Sequence, residues 1–181
     1  MKRHLLTTAL AVMTFTLAGC AASAPTYEVV ATYSYADIAA WDLMVTPGGD
    51  VDKGSVVETN TTDGFVTIKA GPNNWGGVQS PSIKLDLERE PLIMVRIFEN
   101  PDGSKWGAQV IRAQDSGEEW ANYLIPDLNT KWSLFVAANV TEQLDGVYDE
   151  YGSEIDLIFW IYPTGANGTV SIQEVVIVYT K

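Results

Sequence analysis

The sequence predicts an all-β chain, a two-sheet antiparallel β-sandwich of the jelly-roll kind, and three observations carry that expectation. No stretch beyond residue 26 sustains an apolar period of 3.6; short runs rich in Val, Ile, Thr and aromatic residues recur instead between clusters of Gly, Pro, Asn and Asp. The connections between runs hold no helical crossovers, so neighbouring strands pair antiparallel. A single cysteine rules out a disulfide within the chain, so a domain of about 160 residues must hold itself together by closing two sheets over one apolar core.

The elements follow in order. A first strand at 27–35 leads into 35–40, where Ala36, Ala39 and Ala40 favour one helical turn. The strand at 41–46 ends in Thr46-Pro47-Gly48-Gly49-Asp50, and the strands at 55–61 and 65–70 flank Thr62-Asp63-Gly64; both are turn sequences. Strands at 78–87 and 92–99 precede Asn100-Pro101-Asp102-Gly103, and a strand at 106–113 runs into Asp115-Ser116-Gly117. Strands at 120–125 and 132–140 follow, and those at 155–162 and 169–179 flank Gly165-Ala166-Asn167-Gly168.

Alternation assigns faces within three of these strands. Ile155, Leu157, Phe159 and Ile161 share one side of the first, against Asp156, Ile158, Trp160 and Tyr162. In the second, Ile93, Val95 and Ile97 form a core-like side, and Met94, Arg96 and Phe98 point the other way. The third sets Trp106, Ala108, Val110 and Arg112 against Gly107, Gln109, Ile111 and Ala113, and its inward side stays open.

The N-terminal segment bears on location. Lys2, Arg3 and His4 precede an apolar stretch from Leu5 to Leu17 that is too short to cross ~30 Å of hydrocarbon, and Leu17-Ala18-Gly19-Cys20 closes it. This segment resembles the signal peptide of bacterial lipoproteins. The resemblance implies removal of residues 1–19, lipidation of Cys20, a short tether over 20–26 and one domain at 27–181. It also implies a protein of the cell envelope, held in the outer membrane where one exists and otherwise on the outer face of the cytoplasmic membrane.

Composition then narrows the chemistry. The only His, His4, leaves with the signal and the only Cys carries lipid, so zinc sites of Cys and His, thiol nucleophiles, Ser-His-Asp triads and histidine bases are all excluded. Loss of Lys2 and Arg3 takes the formal charge from −12 to −14. Such a surface repels phosphate backbones and anionic lipid headgroups, so no nucleic-acid partner is expected. Membrane contact is expected from the acyl chains alone.

Six Trp remain as the chemistry-bearing feature. A sugar ring has an apolar face that stacks on an aromatic side chain and a rim of hydroxyls that pairs with amides, carboxylates and guanidinium groups. Trp41 and Trp132 read as core. Trp75, Trp106, Trp120 and Trp160 neighbour Gly-rich or acidic loops, or alternate with polar residues, and are the stacking candidates. Arg96, Gln109, Asn122 and Tyr123 are their candidate polar partners.

The run Asn74-Trp75-Gly76-Gly77-Val78-Gln79-Ser80-Pro81, with Ile83, Leu85 and Leu87, then Pro91-Leu92-Ile93-Met94-Val95 and Ser104-Lys105-Trp106, resembles the galactose-binding-like jelly-roll modules of bacterial glycoside hydrolases. The closing segment from Val170 to Ile177 is similar to their last strand. That resemblance implies non-catalytic carbohydrate binding, often with a structural calcium ion. Asp50 and Asp52, and the acidic loop with Asp145 and Asp149, are the oxygen donors that calcium would use. Glu154-Ile155-Asp156-Leu157-Ile158-Phe159 resembles the Glu-x-Asp-x-x-Glu strand of laminarinase-like glycosidases, but Phe159 stands at the acid/base position and leaves the two-carboxylate machinery incomplete. The expected partner is therefore a polysaccharide or oligosaccharide, without catalysis and with no other cofactor. The alternative is a non-catalytic contact with another envelope protein, and a jelly-roll glycosidase ranks below both.

Overall fold

The computed structural model describes residues 25–50, 52, 54–72, 76–98, 104–119, 121–129, 134–144, 150–165 and 167–181. Their strands form two antiparallel sheets of six, the sandwich that the alternation predicts. The first sheet runs β10 (Leu134–Asn139), β7 (Pro91–Ile97), β12 (Thr169–Thr180), β4 (Phe65–Lys69) and β3 (Val56–Asn60), with β1 (Tyr27–Ser34) also on β12. The second runs β2 (Asp42–Leu43), β5 (Val78–Gln79), β11 (Glu154–Thr164), β8 (Lys105–Arg112) and β9 (Asn122–Asn129), with β6 (Ile83–Asp86) also on β11.

The long strands β11 and β12 organise the two sheets. Along one edge β12 pairs with β7, and it divides the other between β4 and β1; β11 pairs with β8 on one edge and divides the other between β5 and β6. The continuous strand expected at 78–87 is thus two strands, and Pro81 gives the reason: it has no N–H for the ladder. Ser80 bridges the gap. Its N–H donates to Phe159 O (2.9 Å), and its hydroxyl oxygen accepts from Phe159 N–H (3.0 Å) while donating to Pro81 O (2.9 Å).

The helical turn expected near residue 35 is α1 (Tyr35–Ile38). Ser34 and Asp37 form a reciprocal capping box, with Ser34 N–H and Oγ donating to Asp37 Oδ2 (2.8 and 2.7 Å) and Ser34 Oγ accepting from Asp37 N–H (3.4 Å). Between the sheets lies one core. Ile93, Val95 and Ile97 of β7 meet Ile155, Leu157, Phe159 and Ile161 of β11 there, as the alternation requires, and Trp41 joins them. The open side of β8 is resolved as well: Trp106, Ala108 and Val110 point inward, leaving Gly107, Gln109 and Ile111 on the outer surface of the second sheet.

Candidate functional site

Cross-strand register builds a row on that outer surface. Asp42, Gln79, Trp160, Gln109 and Tyr123 stand side by side, one from each strand from β2 to β9, with neighbouring strands about 4.8 Å apart. Beside it, Ile158 of β11 faces Ile111 of β8, and Tyr162 faces Gly107. A Cβ on Gly107 would lie 2.7 Å from the Tyr162 hydroxyl, so the glycine makes the room that the phenol ring occupies.

A shift of register places Tyr123. β9 pairs Ile125 with Ala108 but Tyr123 with Gln109, so Leu124 is an extra residue in the ladder. Strict alternation would put Tyr123 and Ile125 on one side. The bulge sends both Leu124 and Ile125 into the core and turns Tyr123 outward, where it is 62% exposed.

Beside Tyr123 is Gln109, only 9% exposed, whose side-chain amide makes no hydrogen bond among the described residues. A desolvated amide without a partner costs stability. Gln79 is engaged on one side, since its Oε1 accepts from Val45 N–H (3.2 Å). Trp160 lies between the two glutamines at 1% exposure, enclosed by Met44, Ile111 and Ala121 with Ile158 and Tyr162 alongside, and its indole N–H also lacks a partner among the described residues.

Two loops that follow β2 and β8 are tied together. Gly48 N–H donates to Gly117 O (2.7 Å) and joins the 46–50 turn to the 115–119 loop, while Met44 N–H donates to Gly77 O (3.1 Å). Asp52, nearly fully buried, fixes the base: Oδ1 accepts from Gly54 N–H (2.8 Å) and Ser55 N–H (3.2 Å), and Oδ2 accepts from Gly77 N–H (3.2 Å). Gly76, at φ +130°, passes so close that a Cβ would lie 2.1 Å from Oδ2.

These positions revise several sequence expectations. Trp106 is not a stacking platform, because at 0% exposure it is core between the sheets. Trp160 is on the same outer face as Gln109 but is covered at 1% exposure, so its ring is not open for stacking. Arg96 belongs to the first sheet, opposite Glu174 and Phe135, away from Gln109. Asn122 is exposed but pairs with Val110, one step along β9 from Tyr123. Gln109 and Tyr123 are brought together. Trp75, Trp120, Trp132, Cys20, Asp145 and Asp149 lie outside the described residues. Gln79 joins the row without a signal in the sequence, because a two-residue strand has no alternation to read.

Among the described residues, Asp50 and Asp52 are not gathered with a third carboxylate as calcium donors. The Asp50 side chain is exposed, Asp52 is turned onto backbone N–H groups, and no three His, Cys, Asp or Glu gather in metal-binding range among the described residues. The partial glycosidase motif keeps Glu154 and Asp156 on one side of β11 but brings no acid/base carboxylate to them among the described residues. Glu154 and Asp156 are exposed opposite Asp86 and Lys84, and Phe159 is in the core.

The chain matches no protein-family model and no curated sequence. Among solved structures, a xylan-binding module, CBM15, superposes with a TM-score of 0.52 at 16% identity, over 86% of this chain and 97% of that one. The chain shares the fold of that module. A xylanase 10C from Cellvibrio japonicus in complex with xylopentaose matches with a TM-score of 0.47 at 18% identity, over 76% of this chain and 27% of that protein. The expected carbohydrate-binding-module-like sandwich is thus observed as a fold.

Proposed function

We propose that this protein is a lipid-anchored, extracytoplasmic module that binds a glycan non-catalytically on the outer face of its second sheet. One observation carries the reading: Gln109, nearly buried and with a side-chain amide that makes no hydrogen bond among the described residues, stands beside the exposed ring of Tyr123 on one sheet face. The ring offers a stacking surface and the amide reads hydroxyls, both without a reacting group. The xylan-binding activity named for the CBM15 structure supports the same reading, and xylan heads the panel of ligands to test. The anchor rests on the lipobox and Cys20.

Calorimetric titration of residues 20–181 against xylan and other soluble neutral polysaccharides tests the site. Saturable binding to one glycan is expected, lost in Tyr123→Ala and Gln109→Ala while melting remains cooperative. No binding across the panel, or binding that survives both substitutions, would overturn it. The mass of the Cys20 peptide from the native envelope tests the anchor separately.

A further inference from the structure

Six large hydrophobic side chains stand exposed among the described residues, and four of them, Tyr27, Val29, Val56 and Phe135, share one surface. That surface is the outer face of the first sheet, turned away from the candidate glycan site. Register makes the placement firm. Val29 pairs with Val178 and Tyr27 with Thr180, both on the side of β12 opposite its core residues Val175, Ile177 and Tyr179. Phe135 faces Arg96, and Val56 faces Lys69, again outward. Half-buried Met94 and Val176 face each other between the Phe135 and Val29 edges, while Val56 stands apart at the other end of β12, beyond Lys69 and Thr169.

Charge separates this surface from the rest of the molecule. Its strands turn out Lys69 and Arg96 against Glu58 and Glu174, with Arg96 directly opposite Glu174, so the face is balanced in a chain of net charge −12. An approaching phospholipid headgroup layer meets no net repulsion here. Exposed apolar surface grouped in this way marks a contact, not ordinary surface scatter.

We infer that the occupant is the bilayer itself, and that the outer face of the first sheet lies on the membrane surface. The inference rests on the lipid-anchor reading. Six residues separate Cys20 from Tyr27 and reach about 20 Å when fully extended, so the lipid holds the bilayer near the point where β1 begins. Tyr27, which opens that strand, is an amphipathic ring suited to the headgroup boundary. Shallow burial of Val29, Met94 and Phe135 then adds apolar area to the acyl anchor. The second sheet, packed about 10 Å away, turns Gln109 and Tyr123 towards the medium.

The test couples residues 20–181 through Cys20, the only cysteine, to a maleimide lipid in phosphatidylcholine vesicles, followed by hydroxyl-radical footprinting. Tyr27, Met94 and Phe135 should be modified several-fold less than in protein coupled to a soluble maleimide, with Tyr123 and Tyr151 unchanged. Val29→Asp, at an exposed position, should restore part of the labelling. Equal labelling with and without vesicles, or protection of Tyr123, overturns the inference. So does protection of Phe135 that grows with protein concentration in the absence of lipid, which would assign the face to a second copy. The chemical tether makes these outcomes independent of native lipidation, and the native Cys20 mass decides that question alone.

Discussion

Replacing Gln109 by Leu should make the protein more stable and less able to bind. The side chain is 9% exposed and its amide has no hydrogen-bond partner among the described residues. Burying an unpaired amide costs roughly 1–3 kcal/mol by mutational measures. Because its atoms keep some contact with water, the lower part of that range applies, and a leucine of similar volume should recover about 1–2 kcal/mol. At about 2–4 °C per kcal/mol for a domain of this size, the melting temperature should rise by roughly 2–8 °C. Losing the same amide from a ligand contact should weaken glycan affinity about tenfold or more, since each ~1.4 kcal/mol is a factor of ten. Calorimetric melting and titration on one preparation read both effects. A lower melting temperature in Gln109→Leu would mean that the amide has a structural partner, and the argument for a waiting ligand group would fail.

Ser80→Ala removes the hydroxyl that accepts from Phe159 N–H, leaving a buried donor unpaired at a cost of about 1–3 kcal/mol; an unchanged denaturation midpoint would show that the gap at Pro81 needs no bridge. Trp106→Ala should cost about 3–5 kcal/mol as a cavity in the core, so any loss of binding should follow loss of cooperative folding; a fully folded variant that selectively fails to bind would return Trp106 to the site. Acid stability should reflect two carboxylates. Hydrogen bonds from Ser34 hold Asp37 below its usual range, and Arg89 does the same for exposed Glu28. Folded values below the unfolded ones mean stability that is fully present above about pH 5 and lost as pH falls through the folded values. Melting temperature should therefore stay level from neutral pH to about 5 and decline below about 4, with a shallower decline in Asp37→Asn. A decline beginning near neutral pH would require another titrating group.

The class of fold and most of its strand faces are legible along the chain. Ile93, Val95 and Ile97 of β7 and Ile155, Leu157, Phe159 and Ile161 of β11 are buried where a period of two places them, because neither strand carries an extra residue against β10 or β8 over the stretch it pairs with them. The capped turn at Ser34 is equally local, since Asp37 is three residues away. Composition is more direct still: one His and one Cys in the whole chain cannot build a zinc site of Cys and His ligands, whatever the fold.

The site, by contrast, comes from pairing between distant strands. Nothing in β8 itself says whether Trp106 or Gln109 faces the core, since both sides carry apolar and polar residues; pairing with β11 settles it. Tyr123 turns outward only because β9 carries an extra residue at Leu124, and a bulge is a property of two paired strands, not of either sequence alone. Gln79 enters the row through a two-residue strand aligned by β11. The apolar outer face of the first sheet is likewise assembled from β1, β3, β7, β10 and β12, elements distant in the chain. Burial and alternation are encoded along a strand, whereas which residues stand side by side on a surface depends on register between strands.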